Sequence, residues 1–393
     1  MTDSIVIVGA ARTPMGSFQG DFSSLSANDL GGAAIKAAVE RAGIAADSVN
    51  EVLFGNCLMA GQGQAPARQA GFKGGLPISA GAVTLSKMCG SGMRAAMFGH
   101  DMLLAGSADV VVAGGMESMT NAPYLLQKAR GGYRIGHDRM FDHMMLDGLE
   151  DAYEAGRSMG TFGEDCAAKY GFTREAQDSF AITSVKRAQA ATQSGAFAAE
   201  ITPVTVKGRA GDTVIATDEA PGKVKLEKIA SLKPAFKKDG TITAASSSSI
   251  SDGAAALVMM RASTAAKLGL KPLARIVSHA VHAQEPNWFA TAPVGAVNKA
   301  LAKAGWSVKD VDLWEVNEAF AVVPMALMHD LGLSHDIVNV NGGACALGHP
   351  IGASGARIMV TLMYALQARG LKKGVATLCI GGGEGTAVAL EML

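Results

Sequence analysis

The chain opens on an apolar run at residues 4–8 with the length and continuity of a buried strand. Residues 30–42 then repeat at helical spacing, with Leu30, Ala33, Ala34, Ala37 and Ala38 on one face, and stop at Gly43. A second strand is predicted at 49–54. The second half runs through the same order: a strand at 274–277, a helix at 294–304 that stops at Gly305, and a strand at 311–316 that ends at Asn317. Strand followed by helix, repeated, predicts a layered α/β architecture.

The halves also match in detail. With Gly43 set on Gly305, Lys36-Ala-Ala-Val-Glu-Arg-Ala-Gly lies against Asn298-Lys-Ala-Leu-Ala-Lys-Ala-Gly. Ser91-Gly92 opens a helix leading to a strand at 109–113 and then Gly114-Gly115. Ser354-Gly355 opens a helix leading to a strand at 375–380 and then Gly381-Gly382-Gly383. Gly253-Ala-Ala-Ala-Leu-Val-Met-Met parallels Gly385-Thr-Ala-Val-Ala-Leu-Glu-Met. Four matches in one order indicate a duplicated unit. The first copy is assigned to residues 1–120 plus 250–271 and the second to 272–393. Residues 121–249 break the pattern, with Gly131-Gly132, a helix expected at 174–194 and a polar run at 207–238. They are expected to be an insertion carried on the first copy.

Composition then narrows the partners. Basic and acidic residues balance at 35 each, so no global field draws nucleic acid or an anionic membrane. No apolar stretch approaches the ~20 residues of a spanning helix. The start, Met1-Thr-Asp-Ser, lacks the basic and apolar segments of a leader, so a cytoplasmic protein is expected. With 49% apolar and only 18% charged residues, the chain must bury much of its surface in a large core or subunit contacts. The cysteines (Cys57, Cys89, Cys166, Cys345 and Cys379) are odd in number and lack CxxC spacing, which argues against a disulfide framework or a metal site.

Four segments carry candidate chemistry. In Ser86-Lys-Met-Cys-Gly-Ser-Gly-Met-Arg, Cys89 sits at a strand-to-helix turn, where helix N–H groups and dipole favour thiolate. A packed cysteine at a tight corner is the competing explanation. In Asn341-Gly-Gly-Ala-Cys-Ala-Leu-Gly-His-Pro-Ile-Gly, His349 occupies the approximate counterpart of the Cys89 turn, so pseudo-symmetry would bring thiol and imidazole together. Cys345 is expected to line the same wall. In Leu378-Cys-Ile-Gly-Gly-Gly-Glu-Gly, Cys379 ends a buried strand, and the glycines expose N–H groups suited to an oxyanion. In Trp314-Glu-Val-Asn-Glu-Ala-Phe, the Asn317 amide falls where it would orient a water or the histidine; alone it reads as a turn residue.

These segments resemble the four signature blocks of the thiolase family. The likeness spans essentially the whole chain, including Gly9-Ala-Ala-Arg-Thr-Pro-Met-Gly and Gly114-Gly-Met-Glu-Ser-Met. It implies two βαβαβαββ halves in a five-layer αβαβα core with an inserted loop domain. By this resemblance Cys89 is the nucleophile, activated by His349, and Cys379 is the acid/base. His349 and a water on Asn317 would form one oxyanion hole, the N–H groups of Cys89 and Gly381 a second. Acyl-CoA and CoA are then substrates, exchanged in a ping-pong sequence, and no metal or bound cofactor is expected. A homo-oligomer, a dimer or a tetramer as a dimer of dimers, follows from the same resemblance.

The resemblance assigns the insertion to CoA. Ser248, within Ala244-Ala-Ser-Ser-Ser-Ser-Ile, matches the family serine on the pantetheine arm, and Ala244 falls beside it. Leu149, Met159, Phe289, Ala319 and Phe320 fall where family members line the pantetheine tunnel, although such apolar residues equally suit a core. The basic excess at 201–238 includes Lys223, Lys225 and Lys228, most of it expected to be a solvated face with one or two lysines meeting CoA phosphates. Ser158 stands where short-chain thiolases carry histidine. An acetyl-CoA acetyltransferase of fatty acid metabolism is the leading expectation, with a longer-chain 3-ketoacyl-CoA thiolase as alternative. A decarboxylating ketoacyl synthase carries histidine where Cys379 stands, and a non-catalytic CoA- or lipid-binding relative would not be expected to keep all four groups.

Overall fold

The computed structural model describes residues 3–209 and 211–393; Met1, Thr2 and Ala210, which the boundaries above include, lie outside the described residues. Along the main sheet run β1 (Ile5–Arg12), β2 (Glu51–Gly55), β3 (Gly81–Leu85), β4 (Val110–Ser118), β5 (Ser251–Arg261), β6 (Ala274–Ala283), β7 (Leu313–Val316), β8 (Lys373–Ile380) and β9 (Glu384–Met392), and a two-residue strand, Gly16–Ser17, pairs off this path with the start of β5. The helices that position the site are α1 (Ala27–Ala42), α2 (Pro66–Lys73), α3 (Ser91–Leu104), α4 (Met159–Tyr170), α5 (Arg174–Ser194), α6 (Ala292–Ala304), α7 (Val322–Leu331) and α8 (Ile351–Arg369). α1 begins on a capping box between Ser26 and Asp29 and ends at left-handed Gly43, and α6 ends the same way at Gly305.

Strand order makes the duplication explicit. The path runs β7-β8-β9-β6-β1-β5-β4-β2-β3, and within it the two halves meet through the pairs Val6↔Arg275 and Ile7↔Ala274. In each half the fourth and fifth strands pair antiparallel, as do the fifth and first, while the second pairs parallel with the fourth. Both first strands carry a bulge at corresponding places, Ile7/Gly9 and Ile276/Ser278. The third strand of the second copy is reduced to one parallel bridge, Trp314↔Val338. There the next residue, Asn339, has φ +49° and spends its side chain on Val316, donating to its carbonyl and accepting from its N–H at 2.8 Å each. A side chain thus takes over the ladder.

Three apolar clusters define five layers. α1 and α2 cover the outer face of the first sheet through Leu30, Ile35, Val52 and Phe54. α6 and α7 cover the second through Val297, Val323, Trp314 and Val375. Between the sheets lie α3 and α8, packed through Met93, Met97, Met359 and Leu362. Their approach is limited by backbone. A Cβ at Gly92 would stand 2.8 Å from the Ala356 nitrogen, and one at Gly355 would stand 2.4 Å from the Met93 nitrogen. Only glycine lets the two helices cross so near their N-terminal ends, and this crossing brings the two copies' turns together. Between Ser118 and Ser251 the chain leaves the layers, and α4 and α5 pack against α7 and the short helix Ala344–Leu347 of the second half.

Boundaries differ from expectation mainly at the site. The helix expected from Ser354 starts at Ile351, so Ser354 lies inside its first turn. The strand expected at 109–113 runs to Ser118, carrying Glu117 inward. The helix predicted at 174–194 is α5.

Candidate active site

Equivalent serines fix the two turns. In the first half the Ser91 hydroxyl donates to the Met88 carbonyl at 2.6 Å and accepts from the Lys87 N–H at 2.8 Å. Met88 is held at φ +45°, a strained conformation for a side-chain-bearing residue, directly before Cys89. In the second half the Ser354 hydroxyl donates to the Pro350 carbonyl at 2.9 Å, so it must accept from His349 Nδ1 at 2.5 Å. That bond assigns the proton to Nδ1 and leaves the Nε2 lone pair facing the cavity. Gly348, at φ +99°, delivers the ring: any Cβ there would meet Ser251 Oγ at 2.0 Å.

Asn317 follows β7, buried, with Nδ2 3.5 Å from His349 Nε2 and no protein partner for Oδ1 among the described residues. Cys379, in β8, is fully buried. Burial, and then the nearby Cys89 sulfur, push its thiol well above the ordinary range. Cys89 is half-buried and packs against the buried cluster of Cys57, Leu58, Met119, Met144 and Ile351. Gly381 follows β8 with the Met159 methyl 3.7 Å from where its Cβ would be. Cys89 thus lies at Cys379 and Gly381, His349 lies at Asn317, and Met159, beside Gly381, shares a cavity wall with His349, so four separate stretches meet around one site.

Burial dominates the electrostatics. It pushes the Cys89 thiol up to about 11, against the pull of the Gly381 and Cys89 N–H groups, and holds His349 down to about 3. The expectation of a helix-stabilised thiolate is therefore corrected. The turn's first amides are already used, Gly90 N–H by the Lys87 carbonyl and Ser91 N–H by the Met88 carbonyl, both at 3.0 Å. The resting site holds neutral thiol beside neutral imidazole. Alkylation of Cys89 by iodoacetamide should accordingly accelerate about tenfold per pH unit above neutrality, in step with the thiolate fraction. A plateau near neutral pH would show a preformed thiolate–imidazolium pair instead.

Two buried carboxylates brace the turns and carried no assigned role in the sequence. Glu117 accepts from the N–H groups of Cys57, Leu58 and Gly352 and from Asn56, at 2.6–3.1 Å, and burial raises it to about 7. It joins the start of α8 to Cys57, whose sulfur lies 3.2 Å from the Met88 carbonyl. Glu318 does the same in the second half, accepting from Ser184, Asn339 and the Cys345 N–H at 2.7–3.0 Å. For Glu117 the available signal was a charged residue just after Gly114-Gly115, and for Glu318 a charged residue in a largely apolar block beside Asn317.

Two cavities adjoin. The inner one, about 250 Å³, is lined by His349, Leu149, Ser158, Met159, Ser248 and Phe320, among others. The outer one, about 360 Å³, takes Ala244, Cys345, Lys223, Lys225 and Lys228, and both have Ser249 on their walls. Three expectations are corrected here. Cys345 faces the outer cavity, not the wall beside Cys89. Phe289 is core, edge-on to Phe162 and Phe320. Ala319 is buried too, and its carbonyl accepts from the Ser248 N–H at 3.0 Å.

A duplicated five-layer fold with paired thiols and an imidazole at the crossing of its central helices defines a cysteine-dependent acyl-transfer scaffold. The sequence matches the family descriptions "Thiolase, N-terminal domain" over residues 5–263 and "Thiolase, C-terminal domain" over 270–392, and the chain belongs to the thiolase family. It is 51% identical over 391 residues to an acetyl-CoA acetyltransferase of Rhizobium meliloti (strain 1021), covering 99% of each chain. A Chromobacterium violaceum protein of the same name is 50% identical, covering 98% of this chain and 99% of the relative. The solved acetyl-CoA acetyltransferase from Syntrophomonas wolfei superposes with a TM-score of 0.96 at 42% identity over the full length of both.

Proposed function

We propose that this chain is an acetyl-CoA C-acetyltransferase that condenses two acetyl-CoA molecules reversibly to acetoacetyl-CoA and CoA. The observation that carries the reading is the convergence of Cys89, Cys379 and the unprotonated His349 Nε2. In the first half-reaction Nε2 takes the Cys89 proton while Sγ bonds to the acetyl carbon. The C–S bond to CoA breaks, and CoA leaves as a thiol with the Cys379 proton. Cys379 is then a thiolate in the same site as imidazolium His349. In the second, that thiolate removes an α-proton from a new acetyl-CoA and the carbanion attacks acetyl-Cys89. The Cys89 sulfur departs and recovers its proton from His349.

Because the resting groups are neutral, charges arise only in pairs and only with substrate present. Donors at the thioester oxygens then have the largest leverage. His349, once protonated, and a water held by the unpartnered Asn317 Oδ1 suit one oxygen, and the N–H groups of Cys89 and Gly381 the other. Nothing in this scheme calls for a metal or bound cofactor. The pantetheine arm fits the inner cavity along Ser248 and Met159, with the CoA phosphates at Lys225 and Lys228 in the outer one. A cytoplasmic homo-oligomer working in fatty acid metabolism agrees with this chemistry and with the apolar composition.

Mixing the protein with acetoacetyl-CoA and CoA should remove the enolate absorbance; absence of thiolysis with every 3-ketoacyl-CoA tried would overturn the reading. The phosphate assignment has its own test. Lys223 is already paired with Glu219, so the double variant Lys225→Ala/Lys228→Ala isolates the other two. It should raise KM for acetyl-CoA about tenfold or more with kcat little changed, the signature of binding equal in ground and transition states.

A further inference from the structure

One cluster of ligand-type side chains plays no part in the thiol chemistry. His100 and Asp101 lie in the C-terminal part of α3, and His279 lies on β6 in the other half of the duplicated fold. His100 Nδ1 is 3.0 Å from Asp101 Oδ1, His279 Nε2 is 2.9 Å from the same oxygen, and the two ring nitrogens are 3.2 Å apart. The rings meet edge to face, centroids 4.8 Å apart. Both imidazole side chains are 14% exposed while the Asp101 side chain is 55% exposed, so the cup is walled by the rings and open to solvent on its carboxylate side.

Hydrogen bonding alone uses two edges of this triangle. Each imidazole N–H can donate to Asp101, but the third edge then sets two N–H groups against each other at 3.2 Å. A tetrahedral dication with bonds of about 2.0–2.1 Å spaces its ligand atoms by about 3.3 Å, close to all three edges. Two imidazole nitrogens and one carboxylate oxygen suit zinc and its neighbours better than calcium or magnesium. Lys303 on α6 is the opposing charge nearby, donating to the His279 carbonyl at 3.0 Å, and Asp101 offsets it.

We propose that His100, Asp101 and His279 bind a zinc-type transition-metal dication, with solvent in the fourth position, at a site apart from the active centre. His100 is nine residues along α3 from Ser91, about 14 Å by helix rise. The ion therefore acts as a clip between the helix that carries the nucleophile turn and a strand of the opposite half. Because the ligands come from distant segments, the ion binds the folded chain and raises its stability with metal concentration.

The test uses metal-stripped, tag-free full-length protein and cobalt(II) as the probe. One equivalent should bind with the visible spectrum of a tetrahedral nitrogen/oxygen site, lacking the thiolate charge-transfer band that binding at Cys89 or Cys379 would give, and zinc should displace it. Loss of even an outer-shell partner weakens metal sites about 10- to 100-fold, so His279→Ala and His100→Ala should each lose about 100-fold or more. His279→Gln, which keeps a donor for Asp101 and the local packing, should also lose tight binding. All three should retain thiolysis, which verifies folding, and none should gain thermal stability from the metal as the unaltered protein does. The proposal is overturned if the unaltered protein binds no equivalent, if the band is that of a thiolate, or if the histidine variants bind as tightly as the parent.

Discussion

Cys379→Ser should still accept one acetyl group from acetyl-CoA, visible as a mass increase of the intact chain, and yet lose exchange of the acetyl-CoA α-protons with solvent by about 10²–10⁴-fold. The split follows from the geometry. In the proposed scheme Cys89 has its own base, the Nε2 of His349, whose ring is oriented by the bond to Ser354. In that scheme the α-proton belongs to the second molecule of acetyl-CoA, and Cys379, near the end of β8, is the group that removes it. A serine hydroxyl occupies the same space but is a far weaker acid, so transfer to and from carbon is lost, while the first half-reaction slows but proceeds, because CoA can leave as a thiolate and take its proton from solvent. Cys89→Ala should abolish acylation itself, since no second sulfur can replace it without losing His349. Wild-type exchange in Cys379→Ser would remove Cys379 from its role, whatever happened to overall turnover.

How much of this was legible follows from which interactions are local. The duplication could be read because Gly43 and Gly305 stop their helices by the same left-handed cap, a requirement visible in sequence. Cys89 and His349 stood out for a similar reason, being reactive side chains embedded in glycine. Strand order, by contrast, is a long-range property, and the loss of the second copy's third strand rests on one amide, Asn339. The tautomer of His349 needed the proton commitments of Ser354, which no spacing reveals. Only the family resemblance puts Phe289 and Ala319 on the tunnel, and in sequence an apolar residue looks the same whether it lines a cavity or fills a core. Ser158 stands at the inner cavity, where short-chain relatives would place histidine. The lysines were visible as local charge, but only the short helical turns Pro221–Lys223 and Leu226–Ser231 select which of them face the outer cavity.

The largest effect on stability should come from Arg12, at the end of β1. Its guanidinium is fully buried, bonded to Glu200 at 2.6 Å and in a two-point pair to Asp218 at 2.6 and 2.9 Å, with the Phe197 ring 4.9 Å away. Burial opposes its charge, but the attraction of Asp218 and then Glu200 wins and its pKa ends above the ordinary value. Arg12→Ala leaves two carboxylates uncompensated, and removing one member of a buried ionic group costs roughly 3–5 kcal/mol. Burial already holds Glu200 above the usual carboxylate range with Arg12 present, and without the cation it rises further. A carboxylate whose folded pKa exceeds its unfolded one binds more protons when folded, so the variant's stability falls as pH rises through the unfolded value and recovers in acid. The gap between variant and parent in urea-unfolding midpoint should therefore narrow as pH falls. Arg12→Met/Glu200→Gln/Asp218→Asn, which removes all three charges, should recover much of the loss; midpoints unchanged in Arg12→Ala would refute the account. Glu200 and Asp218 belong to the insertion, and Lys223, Lys225 and Lys228 follow within ten residues of Asp218. If those lysines meet the CoA phosphates as proposed, the same variant should also raise KM for acetyl-CoA, because Arg12 anchors Asp218 at the start of the segment that lines the outer cavity.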